Sequence, residues 1–407
     1  MNRALHLVAS GVARYAGQLA VFALVAVVLG PDQAGRYALA LAVTAPIFVV
    51  AGLGLRPVFL TISPRVAARS AETLRAAAST LALGATIVAA AAVADASTAL
   101  LVSVVAASKA VDTFAELWSA LLQATGRHRR LSGSTALATV AQIAAVGAAL
   151  TGGAGVSGAV AAGTGAVLLV SVVATRPRAG ADPRLLGSGA RSGDWRRLLA
   201  AGVPAGIASG VATLVTTLPQ YVLGRTAAPA DVAELALLLY VVAGVQIVLN
   251  GFAQAWIPEA RGRHETARLT ARHLAATTLR WSVASVPTAV VGAGLMLVVV
   301  PLVLGPGHAL GVAELAPLII AASLSAPVFC GTTALTVQNR YTASLGASIV
   351  TVLVAGAAGL VVVPVHGVPG ALWVTVAAMA TRVVVAWLLA ATPAAPPAVA
   401  PAPGAAA

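Results

Sequence analysis

Five polar side chains share one face of a segment that is otherwise apolar: Lys109, Asp112, Glu116, Ser119 and Gln123, spaced 3, 4, 3 and 4 apart. On a helix that spacing stacks them lengthwise, with Val105, Val111, Leu117 and Leu121 on the opposite side. Arg14 and, one turn further on, Gln18 stand in the first long apolar segment, and Arg382 in the last. An uncompensated charge at mid-membrane costs roughly 2.5–3.5 kcal/mol on insertion scales, so such residues face protein or water and by default mark a transport path. The cations Arg14, Lys109 and Arg382 outnumber the acids Asp112 and Glu116. That balance predicts a path for a substrate carrying negative charge.

Two readings of the polar face stay open. It lines a cavity, or Lys109 and Asp112 neutralise each other as a buried structural pair. Arg14 has the same two: a substrate-facing cation, or a partner for Asp112 or Glu116 across helices. Entering its span near residue 4, Arg14 lies about 15 Å deep at about 1.5 Å per residue, and Lys109, entering from the other side near residue 98, reaches a similar depth. Both then flank one site near the midplane. Asn250 and Gln254, one turn apart, line the path or bridge helices by hydrogen bonds. Arg382 either faces the cavity or snorkels to the surface. Arg280 beside Trp281 reads as an interfacial anchor, and Arg56 and Arg225 fall at span ends, as boundary residues or as gates. Pro46, Pro204, Pro219, Pro287 and Pro327 mark breaks that can act as hinges.

The elements that must position these residues are membrane helices. Hydrophobic residues make up 59% of the 407 and charged ones 9%, against about 25% charged in soluble domains; mean hydropathy is +0.94. Segments of about 20 residues suit a hydrocarbon core about 30 Å thick. The spans read as 5–29, 37–55, 76–94, 98–122, 132–151, 155–175, 202–223, 235–257, 278–304, 314–336, 342–363 and 369–391. The expected fold is therefore an all-α polytopic membrane protein of about 12 transmembrane helices.

Loop charge orients it. One set of connections holds Arg65, Arg69 and Arg75; Arg127, Arg129 and Arg130; Arg176, Arg178, Arg184, Arg191, Arg196 and Arg197; Arg261, Arg263, Arg268 and Arg272; and Arg340. The alternate set carries little beyond Arg36 and Arg225, against Asp32, Asp95, Asp231, Glu234 and Glu314. Positive charge stays in the cytoplasm. Both termini are expected there, in a multi-pass protein of the plasma (inner) membrane. The run 176–201, rich in Arg, Pro and Gly, divides six spans from six as a mobile cytoplasmic linker. The expected organisation is a first lobe over 1–175, the linker over 176–201, a second lobe over 202–391 and a disordered Pro/Ala tail over 392–407. The stretch 30–39 echoes 228–237, each leading into the second span of a half. Six spans per half relate the lobes by a pseudo-two-fold axis along the membrane normal, with the path between them.

Several function classes are excluded. The net charge of +13 is scattered over short loops as topology control, which argues against nucleic acid as a partner. Cys330 alone supports neither a disulfide framework nor a thiolate metal site, and the six histidines have no close paired spacing, so no metal and no cofactor is expected. The first apolar segment runs on past Arg14 and reads as a retained span. There is no phosphate-binding loop and no enzyme signature. The external loops are too short for the carboxylate-bearing loop of a membrane-embedded polymerase or glycosyltransferase.

The run Leu29-Gly30-Pro31-Asp32-Gln33-Ala34-Gly35-Arg36-Tyr37-Ala38-Leu39, followed by Ala51-Gly52-Leu53-Gly54-Leu55, resembles the first two spans of bacterial O-antigen and polysaccharide flippases. So do Leu121-Leu122-Gln123-Ala124-Thr125-Gly126-Arg127, Leu218-Pro219-Gln220-Tyr221 and Gln254-Ala255-Trp256-Ile257-Pro258. Each motif is short and degenerate; the ordered set along essentially the whole chain carries the resemblance. These flippases belong to the multidrug/oligosaccharidyl-lipid/polysaccharide exporter superfamily. The resemblance implies two six-helix lobes around a central cationic cavity, alternating access by rocking of the lobes, and a polyprenyl-pyrophosphate-linked oligosaccharide turned from the cytoplasmic to the outer leaflet for cell-surface polysaccharide. It implies as partners that lipid-linked sugar, the bilayer and the enzymes of polysaccharide assembly. Arg14 and Lys109 match the demand for cations that meet a pyrophosphate. The family pattern places a basic residue where Gln220 stands, a departure at the substrate contact expected from that helix. The chain lacks the two extra C-terminal spans of the lipid II flippase branch. The competing expectation is a multidrug/cation antiporter of the same superfamily using Asp112 and Glu116; less favoured is a membrane-embedded polysaccharide polymerase.

Overall fold

A computed structural model of the chain describes residues 2–56, 58, 68–176, 192–266, 270–338 and 340–392. The expected tail over 392–407, apart from Thr392, and most of the expected linker, 177–191, lie outside the described residues. The described residues form helices and no strand. A lipid-exposed backbone must satisfy its hydrogen bonds within the segment, and the helix does so.

The helices are α1 (Asn2–Leu29), α2 (Pro31–Ala51), α3 (Ala68–Val93), α4 (Ala96–Ala124), α5 (His128–Thr151), α6 (Val156–Val170, running on through a π-turn at Ser171–Thr175), α7 (Ser192–Thr226), α8 (Pro229–Thr266), α9 (Ala271–Leu304), α10 (Val312–Val337) and α11 (Tyr341–Ala391). At 51 residues α11 would be about 76 Å long, against a hydrocarbon core of about 30 Å. Gly367 (φ 57°, ψ −132°), flanked by Pro364 and Pro369, breaks it into two legs. Among the described residues ten helices and two legs make the twelve passes expected. Nine of the expected spans fall inside a helix or a leg, 76–94 and 155–175 miss by one residue, and 37–55 overruns α2, which ends at Ala51, by four.

Several helices overrun their apolar spans on the Arg-rich side. α7 starts at Ser192, within the expected linker, and α8 continues to Thr266. Chain reversals on the other side are tight. Gly30 (φ 89°) precedes Pro31 at the first position of α2, where a missing N–H costs nothing. The Asp95 carboxylate caps α4, accepting from the Ser97 and Thr98 N–H groups at 3.0 Å each. His308 Nδ1 sits 2.7 Å from Glu234 Oε2, tying the α9–α10 turn to α8.

Leu81, Val88, Val291, Leu302 and Val361 are all exposed, an apolar surface that only a bilayer covers. The chain is a multi-pass membrane protein. Helices α1 and α2 join the two halves of the chain, α1 packing on α8 and α2 on both α7 and α8. The α2–α7 seam depends on missing side chains. A Cβ on Gly206 would lie 2.9 Å from the Val50 carbonyl oxygen, and one on Gly210 2.2 Å from Val50 Cγ2. At the far end of α2 a Cβ on Gly35 would come 1.7 Å from the Pro229 carbonyl oxygen. Small residues of this kind are what let membrane helices approach closely.

Candidate functional site

Charges carried by α1 and α4 meet across the space between the two helices. Arg14 Nη2 lies 3.6 Å from Asp112 Oδ1 and donates to the Asp112 backbone carbonyl at 3.4 Å. Lys109 Nζ lies 3.8 Å from the other carboxylate oxygen. Asp112 therefore bridges the two cations that the sequence sets at one depth, while Arg14 also lines a cavity. Its side chain keeps 39% exposure, against 20% for Lys109.

Two polar spaces meet at Arg14. One, about 260 Å³, is walled by α1, the end of α2, α4, α5 and α8, with Arg14, Gln18, Arg56, Gln123 and Asn250 among its lining. The other, about 60 Å³, lies between α1, α4, α5 and α6 and adds Asp112, Thr139 and Gln142. Arg14, Gln18, Ser119 and Thr135 stand on the walls of both. These spaces hold the polar stripe of α4 as far as Asp112, Ser119 and Gln123. Glu116 makes no ion pair within 4 Å among the described residues, and its charge acts on Arg14, Arg56 and Arg75 from a longer distance.

Arg56 reaches the cavity through an unusual turn. After Gly52, which closes α2, Leu53 (φ 50°) and Gly54 (φ 50°) both take left-handed backbone. For leucine this costs on the order of 1–3 kcal/mol and persists only where packing imposes it. Here Leu55 is fully buried and the next residue, Arg56, donates from Nη2 to Gln123 Oε1 at 3.1 Å. A residue read as a span boundary or a gate thus stands on the cavity wall.

Arg75 corrects a sequence expectation. It was grouped with the loop charges, yet α3 begins at Ala68 and buries it to 1% exposure. Its Nη1 lies 3.0 Å from where a Cβ on Gly52 would stand, and Nε and Nη1 have no hydrogen-bond partner among the described residues. The helix outruns the apolar run by eight residues, carrying the cation in with it. Helix α5, expected as a span over 132–151, also carries cavity residues that are not among the expected site residues. Ser134, Thr135, Thr139 and Gln142 form its cavity face, and their spacing of 1, 4 and 3 was a readable helical stripe.

The remaining candidates lie apart from this centre. Gln220 and Arg225 are on α7 and Arg382 on the second leg of α11, and none of them lines either space. Arg382 Nε is buried without a partner among the described residues. Arg280 and Arg225 are exposed. Asn250 lines the larger space, whereas the side chain of Gln254 lies outside the described ones. No cluster of three or more potential metal ligands occurs among the described residues.

Solved structures share this fold. The chain matches an inward-facing multidrug resistance MATE family transporter of the MOP superfamily at 15% identity and TM-score 0.66, covering 93% of each chain. An outward-facing structure described in the same terms matches at 14% and 0.60, over 95% of each chain. A MATE in complex with Br-NRF matches at 15% and 0.62, over 96% of this chain and 94% of that one. No curated protein matches the chain. The family model for polysaccharide biosynthesis proteins matches residues 2–259, and the chain belongs to that family.

Proposed function

We propose that the chain is a flippase that moves a polyprenyl-pyrophosphate-linked oligosaccharide from the cytoplasmic to the outer leaflet. The observation that carries this reading is the cavity wall built from Arg14, Arg56, Gln18, Gln123 and Asn250. Around it, four cations (Arg14, Arg56, Arg75, Lys109) face two acids (Asp112, Glu116), so the site keeps net positive charge for an anion. A pyrophosphate crossing hydrocarbon unaided pays a large desolvation penalty; charge-assisted bonds from guanidinium groups offset it.

In the mechanism, the headgroup and glycan enter from the Arg-rich, cytoplasmic side while the polyprenyl tail stays in lipid. Arg14 and Arg56 contact the phosphates, and Lys109 holds Asp112 so that Arg14 is not fully neutralised. The halves 1–175 and 202–391 then rock about the α1–α8 and α2–α7 seams, exposing the site to the other side. Asp112 and Glu116 set the local charge of the site. Both termini are cytoplasmic in this scheme and the membrane is the plasma (inner) membrane. The chemistry is transport, with no bond made or broken.

The test is flipping in proteoliposomes. A labelled polyprenyl-pyrophosphate oligosaccharide is followed between leaflets for wild type, Arg14→Ala and Lys109→Ala. Loss in both variants with insertion intact supports the cationic site. A wild type that moves no lipid-linked sugar, and exports organic cations in a Glu116-dependent way, overturns it in favour of the antiporter.

A further inference from the structure

Helix α4 has a second face, turned away from the charged one. Ala110, Val111 and Phe114, with Ala76 of α3 and Leu168 of α6, wall a groove of about 460 Å³, within the ~300–1,000 Å³ typical of small-molecule sites. These walls are apolar, and the polar groups gather at one end. There, Glu72 and Thr73 of α3, Trp118 of α4 and Arg176 at the end of α6 form the rim. The rim lies at the Arg-rich ends of all three helices, and Ala110 lies about two turns deeper along α4. The groove therefore has the polarity gradient of one leaflet, charged at the boundary and oily inside.

Three details fit an amphiphile. Trp118 Nε1 donates to Glu72 Oε1 at 2.9 Å, the arrangement of an interfacial tryptophan with its polar edge at the headgroup level. The Arg176 guanidinium stands over the Trp118 ring, 5.9 Å from its centroid, and makes no ion pair within 4 Å among the described residues. The π-turn at Ser171–Thr175 directly precedes Arg176. One extra residue in a helical turn advances the register by about 100°, and such turns recur at functional sites. On the flanking helices Leu81, Val88, Leu169 and Val173 are exposed, so the groove faces the bilayer and not the central cavity.

We propose that this groove binds one bilayer phospholipid with a net anionic headgroup. An acyl chain lies along Ala76, Ala110, Val111 and Phe114, and the phosphate meets Arg176, which makes no ion pair within 4 Å among the described residues. Loop arginines on this side concentrate anionic lipid at the surface. Because α4 carries the lipid face and the Asp112–Glu116 face together, the bound lipid braces the helix that presents the charged site.

The experiment uses the full chain in nanodiscs containing phosphatidylglycerol with a photoactivatable group midway along one acyl chain. A parallel sample contains phosphatidylcholine with the same chain, and adducts are mapped by peptide mass. The expected result is phosphatidylglycerol adducts concentrated on residues 73–76 and 110–118, falling about fivefold or more in Ala110→Trp, which fills the groove. Arg176→Gln, at an exposed position that does not threaten folding, is expected to bring phosphatidylglycerol labelling down to the phosphatidylcholine level. Labelling spread evenly over Leu81, Val88 and Val291 and unchanged in Ala110→Trp would overturn the proposal, leaving only the ordinary lipid shell. Equal labelling by the two lipids in wild type, unaffected by Arg176→Gln, would overturn it as well.

Discussion

The two halves of the chain are built from the same kind of helix and treat charge in opposite ways. Within the membrane part of the first half, Arg14, Arg56, Arg75, Lys109, Asp112 and Glu116 lie close enough to interact. The main apolar core runs through both halves, from Phe22 and Val105 in the first to α8 in the second, which contributes Leu235, Leu237, Leu238 and Leu249 at complete burial. The second half's deep cation, Arg382, has a buried Nε with no partner among the described residues. A fold of repeated passes does not oblige both halves to do the same work. Here the first half carries the ion-paired cluster, and the second adds Asn250 of α8 to the cavity wall.

The sharpest way to break this comparison is to remove one cation from each half. Arg14→Ala is expected to lower transport of an anionic lipid-linked substrate about 10–100-fold, the loss of a charge-assisted bond worth about 1.5–3 kcal/mol. Arg382→Met is expected to keep transport near wild type and hold or raise thermal stability, because a buried unpaired polar group is replaced by apolar bulk. Equal losses of transport in the two variants would mean that the charge asymmetry has no functional content.

The seam between the halves comes next. Gly35→Val places side-chain atoms where the Pro229 carbonyl oxygen stands, and overpacking of this sort costs about 1–3 kcal/mol. Thermal unfolding in detergent should show that loss. Gly84→Val, on α3, meets nothing within 4 Å and is expected to leave the transition where it was. If the two variants behave alike, α2 does not hold the halves together through that contact.

Much of this was legible in the sequence because membrane helices announce themselves by length and apolarity, which is why each of the twelve expected spans coincides with a helix or leg to within a turn or so. The Arg14–Asp112–Lys109 cluster was legible too, since a charge in lipid has few allowed surroundings. Arg56 and Arg75 were not. A charge near a span end satisfies topology, a boundary role or a cavity equally well, and only the three-dimensional path of Gly52–Leu53–Gly54 decides for Arg56. For Arg75 the deciding fact was a helix that outruns its apolar segment, which hydropathy does not register.

Inside the polar half, Asp112→Asn separates fold from function. The carboxylate bridges Arg14 and Lys109, and polar pairs in membranes contribute about 1–2 kcal/mol. The variant is expected to unfold earlier by that amount. With two cations released, binding of inorganic pyrophosphate to the detergent-solubilised protein should tighten. Lower stability together with weaker pyrophosphate binding would count against a cationic anion site.

The smallest effect is expected at the far-side turns, where the halves use different caps. Asp95 caps α4 with its own carboxylate, whereas at the start of α10 the Glu314 carboxylate reaches back to accept from the Gly311 N–H at 2.8 Å. The hydroxyl of Ser97, then the N–H and hydroxyl of Thr98, hold the Asp95 carboxyl below the ordinary carboxylate range. A depressed folded-state pKa contributes stability that is fully present above the unfolded value of about 4 and is lost as pH falls toward the lower folded value. Asp95→Ala should therefore lie slightly below wild type in thermal stability at pH 7, and the gap should close on acidification below about pH 4. The turn is exposed to water, so the whole effect should stay small beside the losses in the cavity. A gap that held constant down to the acid limit would show that a group other than the Asp95 carboxylate carries the cap, and the charged face of α4 would then be held from its cavity end alone.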